Sequence, residues 1–304
     1  MGPRVMLRYR LPPGHSHPMT DVIGELIEHS RSVVAVQSAD GREVRVAPDR
    51  VVALKELGPR PIRTSEIRSL ERAAADGWPG VEQAWIDGWL LRAGHGFTGR
   101  ANSALPVEPS AGHVSLDDIV RWFSERGLPA VLLLPDRLGS PPAGWVTRDE
   151  TLVMAADISR LELPVETLSV FSDVPDADWL GVYRYRGRPL PDGALEVISS
   201  VRDGVAAFGR IGSASSEMLA IGRAAVTDAP DGRRWVGLTA IEVAEAHRRN
   251  GLGTRICGEL VAWGRTQGAT HAYLQVSAAN AGAVAKYEGL GFTEHHRYRY
   301  ADLM

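Results

Sequence analysis

One stretch, WVGLTAIEVAEAHRRNGLGT at residues 235–254, restricts the fold more than any other part of the chain. Its first nine residues, Glu242 apart, are β-branched or apolar, as a largely buried strand requires. Arg248, Arg249, Asn250, Gly251, Leu252 and Gly253 break that run. Beyond them Leu252, Ile256, Leu260 and Trp263 recur at steps of four, four and three, which predicts an amphipathic helix. A glycine-rich turn therefore stands at a helix N-terminus. There the first amide N–H groups lack intrahelical partners and side chains do not obstruct approach, so the natural ligand is a phosphate. A dinucleotide fingerprint needs a third glycine where Ile256 stands, and a P-loop needs Gly-Lys-Ser/Thr where Gly253 is followed by Thr254.

The rest of the chain is read around that turn. At 304 residues it has room for two or three compact units. No apolar run reaches membrane-spanning length and the first residues lack an apolar signal core, which predicts a cytoplasmic protein without a membrane partner. The lone Cys257 falls on the predicted helix, so it reads as a packed thiol, and no cysteine-rich metal site is expected. A net charge of −3 gives no general attraction for nucleic acid.

Residues 4–57 carry five short apolar runs separated by turn signals, including Asp40-Gly41, and predict a small all-β barrel over residues 1–58. The run resembles an SH3-like barrel. A peptide- or nucleic-acid-binding module and a structural add-on both fit it, but nine basic side chains, counted through Arg60, against seven acidic ones favour the add-on. A second unit is expected at residues 62–160, with a helix from Thr64 or Ser65, strands around Trp89 and Ser103, a helix capped by a Ser115/Asp118 box, and the buried strand AVLLLP. Its Trp85, Trp89, His95, Arg100, Asn102 and Ser103 could line a pocket, although core aromatics and a hydrogen-bonded strand end explain them as well. The third unit, residues 165–304, reads as two short helices, three strands joined at their last turn by Asp231-Gly232, the glycine turn with its helix, a strand at HAYLQV, a helix from Asn280 and a closing strand.

This third unit is similar to the GNAT superfamily, the GCN5-related N-acetyltransferases. Arg248-x-x-Gly251-x-Gly253 after a strand ending Ile241-Glu242-Val243 carries the likeness, together with Asn280-x-x-Ala283-x-x-x-Tyr287 and Gly291-Phe292. The middle unit resembles a degenerate copy that lacks the phosphate turn. The resemblance implies an α/β (α+β) fold with a mixed, mostly antiparallel, splayed sheet flanked by helices in a tandem arrangement. It also implies acetyl transfer from acetyl-CoA to a small-molecule or peptide amine by direct attack in a ternary complex, with no metal. On that reading Arg248, Arg249, Asn250, Gly251, Leu252, Gly253 and Thr254 hold the pyrophosphate, and backbone groups of Ile241 and Val243, facing residues 274–276, hold the pantetheine arm. Asn280 is then a polar contact to the cofactor, and Tyr287 the acid that protonates the leaving thiolate.

The base is less readily placed. The inward positions of the strand are Gly237 and Thr239, and Glu242 is off by one in strand parity unless a bulge intervenes. Glu196, His295 and His296 are further candidates from flanking elements. A missing carboxylate would favour an acyl-CoA sensor or scaffold with little turnover, and an adaptor binding nucleic acid through the barrel is a third reading.

Overall fold

The computed structural model describes residues 2–58, 60–112, 115–164, 169–183, 190–212 and 217–304. They form two compact units, Met1–Pro61 and Ile62–Met304. In the first, β1 (Arg4–Arg10), β2 (Met19–His29), β3 (Val34–Ser38), β4 (Glu43–Val46) and β5 (Val51–Glu56) make one sheet of order β4-β3-β2-β1-β5, with a single 3-10 turn at Pro48–Arg50 between β4 and β5. Alternation places Val5, Leu7, Val22, Val34, Val36 and Val46 on its buried face. Gly41, at φ +82°, supplies the left-handed residue of the turn at Asp40-Gly41.

The second unit begins with α1 (Thr64–Gly77), β6 (Glu82–Ile86), β7 (Trp89–Ala93), β8 (Ser103–Pro106), α2 (Leu116–Ser124), β9 (Val131–Pro135) and β10 (Trp145–Asp157). It continues with β11 (Ser169–Ser172), α3 (Ala177–Val182), α4 (Ala194–Ser199), β12 (Gly204–Gly212), β13 (Met218–Asp228), β14 (Arg234–Val243), α5 (Leu252–Thr266), β15 (His271–Ser277), α6 (Ala281–Gly289) and β16 (Thr293–Leu303). All eleven strands share one sheet, ordered β11-β12-β13-β14-β15-β10-β16-β9-β8-β7-β6.

That order reads almost the same from both ends. Three strands in the first half and four in the second lead by antiparallel pairing to a helix, and the helix returns the chain to a parallel neighbour: β8 to β9 through α2, and β14 to β15 through α5. Each half then gives its last strand to the other, since β10 pairs with β15, β16 with β9, and β10 with β16 at the centre. The stretches expected as separate units, 62–160 and 165–304, therefore lie in one compact unit, because separating them would break the ladders of both exchanged strands. Residue 165, where the last unit was expected to begin, lies outside the described residues.

Helix α5 packs its predicted stripe against the sheet, with Ile256 and Leu260 fully buried and Trp263 stacked on Phe171 at 6.4 Å. Close approach needs glycine: a Cβ on Gly264 would stand 2.6 Å from Val236, and one on Gly222 2.6 Å from Leu260. One core lies between this half of the sheet and α5 with α6, and another between the first half and α2. The expected Ser115/Asp118 capping box does not form. Ser115 instead donates its hydroxyl to Asp87, across the chain.

Candidate functional site

The parallel pairing of β14 with β15 runs only from Trp235 opposite His271 to Leu238 opposite Leu274. Both strands continue, β14 to Val243 and β15 to Ser277, but they separate. The gap is a cleft of about 730 Å³ whose walls include Ile241, Glu242, Val243, Leu274 and Val276, with Arg248, Gly253, Asn280, Lys286 and Tyr287 around it. Ala244 N–H bonds Leu219 of β13, so strand alternation turns the N–H and C=O of Val243 to the open edge. The side chain of Arg248 folds back onto that carbonyl, donating from Nε at 3.3 Å.

The turn is built as a helix entrance with open donors. Gly251 caps α5 at φ +78°, and Arg249 also takes a left-handed φ of +66°. Within the described residues the backbone N–H groups of 249–253 have no hydrogen-bond partner, and the first that does, Thr254 N–H, bonds Gly251 O at 3.0 Å. The first turn of α5 has no acidic residue. Nothing crowds Gly253 closer than Lys286, whose ammonium lies 3.6 Å from where a Cβ would stand. These are the properties of an anion-binding helix N-terminus, and Lys286 adds to it a cation that sequence reasoning overlooked. The available signal was its place beside Tyr287 in a chain whose only other lysine is Lys55.

The bulge on which a role for Glu242 depends is present. Between β13 and β14 the register shifts, so that Ala240 and Ile241 together oppose Gly222, and Ala240 sits at φ +53°. Before this bulge Val236 and Leu238 face α5; after it Ile241 and Val243 do. Glu242 is thereby rotated to the face of Gly237 and Thr239, where simple alternation denied it a place. Burial raises its carboxyl pKa, partly countered by Arg248. Gly237 has its own reason to lack a side chain: a Cβ there would lie 2.3 Å from the Tyr273 ring. Thr239 lines the cleft with its Oγ1 buried and without a hydrogen-bond partner among the described residues.

Tyr287 is 8% exposed, under the Lys286 ammonium at 4.1 Å from its ring centroid, and burial holds its phenol well above the ordinary pKa. It is a proton donor throughout the neutral range. Asn280 borders the same cleft, but its Oδ1 accepts Ala283 N–H at 3.1 Å and so caps α6, while its amide N–H₂ keeps both donors. Cys257 is fully buried and its thiol is pushed up to about 11 by burial, as a packed residue should be.

The other basic candidates stand elsewhere. Glu196 is exposed and pairs with His95 at 2.8 Å. His296 lies buried against Glu71, 2.7 Å away, and its other ring nitrogen is 2.8 Å from His295 Nδ1. Burial and the neighbouring His296 push His295 down to about 3. None of these three lines the cleft. In the first half Asn102 proves structural, accepting from Gly94 and Gly96 N–H and donating to Phe97 and Thr98 carbonyls. Trp89 is buried with its Nε1 donating to Gly112 O at 2.9 Å. Arg100, by contrast, reaches across the sheet into the cleft and donates to Gln275 Oε1 at 2.6 Å.

Comparison with known proteins agrees with this geometry. A family described as "Probable histone acetyltransferase Rv0428c C-terminal" matches residues 64–301, and "Rv0428c N-terminal Sm-like domain" matches residues 1–55. "Probable histone acetyltransferase Rv0428c" of Mycobacterium tuberculosis is 42% identical over 301 residues, covering 99% of this chain and 94% of that protein. "Uncharacterized N-acetyltransferase YobR" of Bacillus subtilis is 29% identical over 248 residues, covering 76% and 97%. A solved GCN5-related N-acetyltransferase from Kribbella flavida shares the fold at TM-score 0.54 and 18% identity, over 77% of this chain and 94% of that one.

The fold and the cleft define a GNAT-superfamily acetyltransferase, and the chain belongs, within that superfamily, to the Rv0428c acetyltransferase family. Its N-terminal unit matches the Sm-like type of small barrel. Among the described residues no helix is long and apolar enough to cross a membrane, and no group of three or more His, Cys, Asp or Glu could hold a metal.

Proposed function

We propose that the chain transfers an acetyl group from acetyl-CoA to a primary amine, by direct attack in a ternary complex. The observation that carries this reading is the parting of β14 from β15 past Leu238 and Leu274, with unpaired turn amides above the gap and Glu242 and Tyr287 beside it. The open amides of 249–253, with Arg248, Arg249 and Lys286 close by, fit a pyrophosphate. The outward N–H of Val243 fits a thioester carbonyl, and one such donor is typically worth about 10²- to 10³-fold in rate.

Acetyl-CoA supplies the activated acyl group. Glu242, on the side away from α5, takes the proton of the attacking amine, and its raised pKa makes it a stronger base than an exposed carboxylate. Tyr287 donates its phenolic proton to the departing sulfur. The Mycobacterium tuberculosis relative is named for histone, whose lysines also carry primary amines.

Thiol release from acetyl-CoA, measured with an amine panel on the protein and on Glu242→Gln, tests the reading. Amine-dependent release that the substitution cuts by about 10²-fold or more is expected. Tight acetyl-CoA binding with no amine-dependent release would make the chain a sensor instead.

A further inference from the structure

The acceptor side of the cleft contains a cation with unspent hydrogen-bonding capacity. Residues of β15 alternate, with Leu274 and Val276 toward α5 and Gln275 and Ser277 on the opposite face, the face that the bulge gives to Glu242. Arg100, from the loop before β8, arrives on that same face. It stands where the cleft meets a second hollow of about 370 Å³, because Arg100, Tyr183, Gln275 and Ser277 line both. Thr98, Gly99, Asp149, Thr151, Tyr298 and Tyr300 complete the second hollow.

A guanidinium has five N–H donors. Gln275 takes one of them, and the Trp78 ring lies 5.2 Å from the guanidinium carbon. Among the described residues Arg100 has no carboxylate partner. The acid of the second hollow, Asp149, is engaged by Arg148 at 2.7 Å. Its other polar walls are hydroxyls and an amide, which can orient an anion but do not neutralise a cation. A partly buried guanidinium in such a setting gains most from a carboxylate or phosphate held in its fork.

Building on the acetyl-transfer reading, we propose that Arg100 recognises an anionic group on the acceptor, and that the acceptor is a small primary amine carrying a carboxylate or a phosphate. The anion would lie in the second hollow and the amine would point along Gln275 toward Glu242. A hollow of about 370 Å³ suits a small molecule of amino-acid size. An internal lysine of a basic protein offers no such group.

The test uses full-length protein and amines in matched pairs: amino acids against their carboxamides, and phosphoethanolamine against ethanolamine. The anionic member should have a kcat/KM at least about thirtyfold higher. Which pair shows the gap tells carboxylate from phosphate. Arg100→Gln should reduce that ratio to about threefold or less, mostly through KM, and Arg100→Lys should restore part of it. If Arg100 only braced the two halves of the sheet, both members would fall together and the ratio would survive, which overturns the proposal. Equal rates for paired amines on the unaltered protein overturn it as well. Should no amine promote thiol release, the transfer reading fails separately. Calorimetric titration of the same pairs then decides: Arg100-dependent binding of the anionic members supports the site, and equal or absent binding of both members overturns it.

Discussion

The two halves of the large sheet use the same strand-helix-strand unit for opposite ends. In the second half the turn before α5 offers bare amides and no acid in the first helical turn. In the first half the equivalent α2 opens with Asp117 and Asp118, which repel a phosphate, while Ser115 is bonded to Asp87 and Trp89 reaches Gly112. β9 passes directly to β10 through a loop, whereas β15 is followed by α6 with Tyr287. The repeated unit thus fixes a backbone layout, and chemistry resides in a few side chains placed upon it. What the first half retains is support: it supplies β9 and β10 to the shared ladder, and Arg100 to the cleft.

The sharpest way to break this contrast is Glu242→Gln. A loss of about 10²- to 10⁴-fold in kcat/KM is expected, together with loss of the acidic limb of the pH profile. The sign follows from the base role: Glu242 must be ionised, burial raises its pKa, and activity should fall as pH drops through a value above that of an ordinary glutamate. An acidic limb unchanged in the variant would remove Glu242 as the base. Tyr287→Phe is expected to lower turnover at least about tenfold with nearly unchanged acetyl-CoA affinity, since only the donor hydroxyl is lost. Undiminished turnover would exclude it as the acid.

Gly251→Val should weaken acetyl-CoA binding by about five- to tenfold in a folded protein, because a β-branched residue resists φ near +78° and disorders the amide array. Calorimetry with the folded variant checks this, and normal affinity would overturn the phosphate-turn assignment. At the small end, Asp117→Asn with Asp118→Asn should change acetyl-CoA affinity by less than about twofold. A larger gain would mean that the first half binds the same ligand and that the contrast between the halves is wrong.

Much of this was legible in the chain. The strand, glycine turn and helix at residues 235–254 appear in the structure as β14 and α5, because apolar period and left-handed glycine positions act locally. Asn280 and Tyr287 border one cleft because seven residues make two helical turns. Harder to read were Lys286 and Arg100, whose positions depend on packing between segments distant in sequence, as the Arg100 to Gln275 bond illustrates.

Spacing along the chain was enough for the local elements, the donor-rich turn and the common side taken by Asn280 and Tyr287, since each depends on one element alone. Tertiary structure alone decided three things. Reciprocal exchange of β10 and β16 joined two expected domains, because strand order is a property of pairing between remote segments. Arg100 entered a cleft built mainly by the other half. The bulge at Ala240 turned Glu242 to the face of Gly237 and Thr239, because side-chain parity along a strand holds only while its register with the neighbour is unbroken.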